Sequence, residues 1–131
     1  MSSPKIMIVD DDVSILTLLE KRLQKEGYQT IRATSGRDAV SKAKTFMPDL
    51  ILMDIMLPDI DGAEAFRMIR ENGDTKHIPV IFLSGIVDDT GNGRAQIKVE
   101  NEVHPAIGKP VDFYLLLEVM REQLPGWTGE A

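Results

Sequence analysis

Short, nearly continuous apolar runs alternate along the chain with segments whose apolar positions recur at three- and four-residue spacing. That is the pattern of an α/β domain built on a parallel sheet with both faces covered. The runs predict strands over residues 5–9, 29–33, 50–54, 78–84 and 105–109. Leu16, Leu19 and Leu23 share one face of a helix predicted over 13–26, with Asp12 as its N-cap and Gly27 at its end. Ala39, Val40 and Ala43 predict a second helix over 37–46, stopped by Pro48, and Phe66 and Ile69 a third over 63–72, stopped by Gly73. Leu115, Leu116, Val119 and Met120 predict the last, over 112–123. Between Ser84 and Lys109 the rhythm breaks. Gly85, Gly91, Gly93 and several Asp and Asn residues disfavour a long helix, and Ile97-Lys98-Val99-Glu100 alternates only mildly, so the helix expected there is short or irregular. Residues 1–124 read as one domain, and the tail 125–131, with the aromatic Trp127, reads as a frayed end.

Composition narrows the class. A chain of 131 residues, 43% of them hydrophobic, suits a single domain with a core large enough to fold alone. Its formal net charge of -6 argues against direct binding to DNA or to anionic membranes, both of which rely on basic patches. The absence of cysteine excludes disulfides and thiolate metal sites, and fits a reducing, cytoplasmic setting. No apolar run approaches the roughly 20 residues of a membrane helix, and Met1-Ser2-Ser3-Pro4-Lys5 leads into a strand without a signal-peptide stretch.

The chemistry gathers at strand ends. Ile6-Met7-Ile8-Val9 runs into Asp10-Asp11-Asp12, Leu50-Ile51-Leu52-Met53 into Asp54, Val80-Ile81-Phe82-Leu83 into Ser84, and Ala106-Ile107-Gly108 into Lys109-Pro110. In an open parallel sheet the carboxyl ends of the strands form the ligand edge, so Asp10, Asp11, Asp54, Ser84 and Lys109 are expected to converge there. Three crowded carboxylates repel unless a cation joins them, and Mg2+, a hard ion that prefers oxygen ligands, suits the set. The charges of Asp10, Asp11 and Asp54 would then balance those of Mg2+ and the Lys109 ammonium. A phosphoryl group clamped between metal and ammonium, with a hydrogen bond from Ser84, could be captured by Asp54 as nucleophile. Asp59 and Asp61 read as turn formers ahead of Gly62.

Val9-Asp10-Asp11-Asp12, Leu50 to Pro58 with Gly62, Val80 to Gly85 and Lys109-Pro110 together resemble the receiver domains of two-component response regulators, from about Lys5 to Leu124. The resemblance implies a flavodoxin-like, doubly wound, five-stranded parallel sheet in the order 2-1-3-4-5 with flanking helices. It implies Asp54 as phosphoacceptor, Asp10 and Asp11 as the acidic pair that holds Mg2+, and Met56 as the donor of a backbone carbonyl to the metal. Ser84 becomes the switch hydroxyl and Lys109 the phosphate-binding lysine, joined to Pro110 by a cis bond. The implied partner is a sensor histidine kinase or histidine phosphotransfer protein docking near the first helix, with the receiver a monomer or a phosphorylation-dependent dimer.

Two departures from the family pattern shape the expectations. Ala106 stands where receivers commonly carry a Tyr or Phe that gates the switch, and the Ser84 to Lys109 interval is longer than usual and glycine-rich. Switching is therefore expected to proceed by ordering of residues 85–103. The resemblance also places Met56 and Ile86 at the two positions that in receivers help set hydrolysis by positioning or shielding the attacking water, and since both are apolar and cannot orient one, slow loss of the phosphoryl group is expected. Two competing classes remain: a receiver-like binding module that works without phosphorylation, and a haloacid-dehalogenase-type phosphatase. The second lacks the further acidic motif such enzymes need, since the acids after Lys109 lie in or beyond the last helix.

Overall fold

The computed structural model describes residues 3–85 and 94–127. Strands β1 (Lys5–Val9), β2 (Gln29–Ala33), β3 (Leu50–Asp54), β4 (Val80–Ser84), β5 (Arg94–Val99) and β6 (Glu102–Gly108) form one sheet in the order β2-β1-β3-β4-β6-β5. Helices α1 (Val13–Lys25), α2 (Gly36–Phe46), α3 (Gly62–Glu71) and α4 (Phe113–Gln123) flank it. Every pairing is parallel except that of β5 with β6.

All residues of β3 and β4 are buried, which is why their apolar runs do not alternate. Successive side chains nevertheless serve opposite faces, as the strand period of two requires. Ile6, Ile8, Leu50, Leu52, Ile81 and Leu83 join the leucines of α1 and the apolar face of α4 in one core. Met7, Val9, Ile51, Met53, Val80 and Phe82 join α2 and α3 in the other. Capping sets the helix starts. Asp12 accepts from the Ser14 N–H, Ser35 from Asp38, Asp61 from Glu64, and Asp112 from Tyr114 and Leu115. Asp61 is thus the N-cap of α3. Asp59, read from sequence as a turn former, reaches across to the start of α2, where its carboxylate accepts from the N–H groups of Gly36 at 2.9 Å and Arg37 at 3.0 Å. The Arg37 amide is the main reason its pKa falls to about 2.

The expected five-stranded sheet has six strands. Its five parallel strands keep the expected order, with β6 as the fifth, and β5 adds an antiparallel edge. Where a short or irregular fourth helix was expected, the described part of the interval is a hairpin. Val99 pairs with Glu102 across a two-residue turn in which Glu100 (φ 51°) and Asn101 (φ 65°) are both left-handed. This is the turn geometry that matches the twist of paired strands. Ala95, Ile97 and Val99 pack on the α3-side core, so the mild alternation was a strand signal. The tail also departs from expectation. Trp127 packs partly buried on the α1–α4 core, 5.9 Å from the Tyr28 ring, so the chain is docked at least that far.

Candidate functional site

Three strand ends and one loop meet at the carboxyl edge of the sheet. Asp10 leaves β1 with its N–H bonded to the Ala33 carbonyl at 3.1 Å and is 1% exposed. Asp54 is the last residue of β3 and is 4% exposed, whereas Asp11 beside it is open to solvent. Carboxylate oxygens of Asp10, Asp11 and Asp54 lie within 4.8 Å of one another. Lys109, just past β6, binds both buried acids: its Nζ donates to Asp10 Oδ2 at 2.8 Å and to Asp54 Oδ2 at 3.1 Å. The other oxygens are held by the backbone, Asp10 Oδ1 by the Asp12 N–H at 2.9 Å and Asp54 Oδ1 by the Met56 N–H at 3.1 Å.

Ser84 ends β4 one position beyond Leu83, the register partner of Asp54, and is 5% exposed. Its carbonyl accepts from the Lys109 N–H at 2.8 Å, which ties the hydroxyl-bearing strand end to the lysine loop. The Lys109–Pro110 bond is cis, as expected. Gly62 is required by closeness. A Cβ there would lie 2.4 Å from the Asp54 carbonyl oxygen and 2.9 Å from Ile55 Cα, so only glycine lets α3 start against the end of β3. Met56 follows with its side chain 72% exposed at the mouth of the site. Ile86, the other apolar residue expected to slow hydrolysis, lies outside the described residues, as does the rest of 86–93 within the 85–103 segment expected to order on switching.

The electrostatics are those of a site short of positive charge. Burial pushes the Asp54 carboxyl above its usual range, and the Asp10 charge adds to this, against the hydrogen bonds from Lys109 and Met56. Burial opposes the Lys109 charge, but the bonds to Asp10 and Asp54 outweigh it and raise its pKa. Three carboxylates against one ammonium leave a formal deficit of two charges, and all donors are oxygen. The residues therefore fit a hard divalent cation, Mg2+ in particular.

Asp10, Asp11, Asp54 and Lys109 are thus brought together, with Ser84 at the adjacent strand end and Met56 beside Asp54. At the position of the missing aromatic gate, Ala106 is buried and pairs in register with Phe82. A neighbouring residue was overlooked. His104, two positions earlier on the same face of β6, is 7% exposed and sits among aromatic rings. The frame shared with Ala106 was its one sequence signal.

The sequence matches the family described as "Response regulator receiver domain" over residues 6–121. It is 31% identical over 119 residues to the polar-differentiation response regulator DivK of Brucella ovis, covering 91% of this chain and 94% of that protein. Over 67 residues, 51% of this chain, it is 48% identical to the alkaline phosphatase synthesis transcriptional regulatory protein PhoP of Bacillus subtilis, spanning only 28% of that longer protein. It likewise spans 26% of the response regulator PleD of Caulobacter vibrioides. The fold is similar to that of the receiver domain of sensor histidine kinase PA1611 from Pseudomonas aeruginosa, with a TM-score of 0.76, 26% identity and coverage of 94% of this chain and 98% of that one. That structure holds a magnesium ion in its active site cleft. The buried acid pair, the shared lysine and these matches lead to one conclusion: the chain belongs to the response regulator receiver domain family.

Proposed function

We propose that the protein is a phosphorylation-dependent signalling switch that accepts a phosphoryl group on Asp54 from a histidine of a sensor kinase or phosphotransfer protein. The observation that carries this reading is the Lys109 ammonium bonded at once to Asp10 and Asp54, beside a third carboxylate. In the transfer, the N–P bond of the donor breaks with its electron pair left on nitrogen, and an O–P bond forms to the Asp54 carboxylate. Asp10, Asp11 and Asp54, with the Met56 backbone carbonyl, would hold Mg2+, which supplies charge neutralisation to the phosphoryl oxygens. The Met56 N–H and Lys109 orient the attacking carboxylate, and Lys109 is close enough to follow negative charge from carboxylate to phosphoryl group. Ser84, at the adjacent strand end, donates a hydrogen bond to a phosphoryl oxygen.

A donor has a surface on which to dock. Ile15, Leu18, Arg22, Val111 and Phe113 line an apolar cleft of about 200 Å³ that reaches Lys109 and Pro110, and Leu18 and Val13 of α1 are exposed. No helix among the described residues is long and apolar enough to cross a membrane, and a cytoplasmic donor fits the cysteine-free composition. The receiver unit is assigned to residues 1–124, followed by the short segment that contains Trp127.

Exposure to acetyl phosphate and Mg2+ should add one phosphoryl group by mass, absent in Asp54→Ala and after chelation. Equal labelling of the variant would overturn the assignment. With Met56 unable to orient water, the phosphorylated form should be long-lived and should lose phosphate faster in Met56→Asn. A wild-type half-life of seconds would count against that part. Sustained turnover of an aryl phosphate would favour a phosphatase instead.

A further inference from the structure

His104 is the one buried imidazole of the described residues, and the site does not use it. Its ring lies 4.5 Å from Phe66 on α3 and 5.8 Å from Phe82 on β4, both edge-on, and the two phenylalanines meet each other at 5.8 Å. Phe82 stands two residues before Ser84, on the strand that ends in the switch hydroxyl. On the other side, His104 pairs with Ile97 of β5, in the β5–β6 hairpin. One ring therefore bridges the site strand, α3 and the hairpin. Its Nε2 is buried without a hydrogen-bond partner, and the nearest carboxylate oxygen, Glu102 Oε1, is 3.4 Å away on the half-exposed rim. Glu102 in turn engages Arg70, whose guanidinium lies 3.4 Å from it and 4.4 Å from the Phe66 ring centroid. Among the described residues these two are the charged groups that face the imidazole, Glu102 from its own strand and Arg70 from α3, while β4 and β5 present Phe82 and Ile97.

We propose that His104 is a positioning residue through which movement of the β4 end reaches the β5–β6 hairpin, and that it does so only while the ring is neutral. A neutral ring fills the space between Phe66 and Phe82 as an aromatic plug. An imidazolium must satisfy two N–H donors, and among the aromatic rings, with the Arg70 charge beside it, the acceptor near Nε2 is the half-exposed Glu102 at 3.4 Å, so the protonated ring shifts out toward Glu102 to complete that bond. The hairpin then loses its anchor on α3. Burial, helped by Arg70 and opposed by Glu102, disfavours the charged ring and pushes the transition to the acid side of an ordinary histidine. The coupling half rests on the Asp54 reading, but the acid half does not.

Amide exchange of residues 94–108, expressed as protection factors, tests both. Between about pH 7.5 and about pH 5.5, wild-type hairpin protection should fall at least about tenfold more than that of β1 and β3, whereas His104→Phe, which keeps a ring without a titrating proton, should hold it. An equal fall in His104→Phe, or no fall in the wild type, overturns the proposal. At neutral pH, beryllofluoride with Mg2+ should raise hairpin protection in the wild type and in His104→Phe. In His104→Ala it should protect residues 54–57 while leaving the hairpin unchanged. A hairpin response in His104→Ala equal to wild type overturns the coupling. If residues 54–57 gain no protection in any form, the Asp54 reading is what fails, and the acid arm still decides the role of His104. The same acid arm remains decisive if His104→Ala does not fold.

Discussion

Asp54 is held in a balance that its neighbours only partly settle. Burial and the Asp10 charge oppose its ionised form, and Lys109 and the Met56 N–H support it, with a net upward shift. An acid whose folded pKa exceeds its unfolded value costs stability above that folded pKa, and the cost disappears as pH falls through the raised value toward the ordinary carboxylate range. Without a divalent ion near neutral pH, Asp54→Asn should therefore be more stable than the wild type, by on the order of 1 kcal/mol, as when strain at a functional site is relieved. The advantage should shrink on acidification and on addition of Mg2+. Chemical denaturation at several pH values checks it, and a variant less stable at neutral pH would contradict the charge account. The proposed reactivity and the strain thus share one cause: the carboxylate that is uncomfortable alone is the one we propose as ligand to the cation and acceptor of the phosphoryl group.

Among the elements, α3 carries the tightest geometric demand. Its first residue, Gly62, lies against the Asp54 carbonyl, and its N–H donates to the Ile55 carbonyl at 2.9 Å, so the helix start and the strand end that carries Asp54 are one piece of structure. Gly62→Ala must push backbone against backbone, which costs about 1–3 kcal/mol in overpacked sites. The displacement falls on Asp54, so phosphorylation by acetyl phosphate should slow along with the loss of stability. Measuring both separates this from a remote helix defect, and an unchanged rate in a folded variant would contradict the link. The α2 start is fixed in a similar way by Asp59, which ties the loop after β3 to a second helix. The β5–β6 hairpin is held differently, by its left-handed turn and by alternate packing of Ala95, Ile97 and Val99 on the core.

For the whole molecule, the surplus of negative charge is both general and local: a formal net charge of -6 overall, and a deficit at the site that one divalent cation would cancel. Mg2+ that binds the folded state should raise the melting midpoint with concentration, by about 2.7 kcal/mol of stabilisation at a hundredfold excess over Kd. Asp11→Asn should blunt the rise while leaving the metal-free midpoint little changed, because Asp11 is exposed and makes no contact in the core. A midpoint indifferent to millimolar Mg2+ would count against the metal site. Residual dependence on Ca2+ but not Mg2+ would point to a larger, less exacting cation.

The parallel part of the fold could be read from the chain because its information is local. Apolar runs that end in Asp10, Asp54, Ser84 and Lys109, separated by helical spacing and stopped by Gly27, Pro48 and Gly73, leave few alternatives to a doubly wound sheet with those residues at one edge. The acid pair and the lysine followed from strand ends alone. What escaped depends on packing between distant segments. Residues 94–108 become a hairpin because Ile97 and Val99 find the α3-side core and Asn101 accepts a left-handed turn, which outweighs a weak local preference. Trp127 docks because Tyr28, far away in sequence, offers it a surface. Asp59 caps a helix that begins 23 residues before it, and His104 matters only because Phe66 and Phe82 close around it. Strand ends are written in neighbouring residues, whereas partners brought together by the fold are not, since a side chain's burial depends on what the rest of the chain delivers to its face.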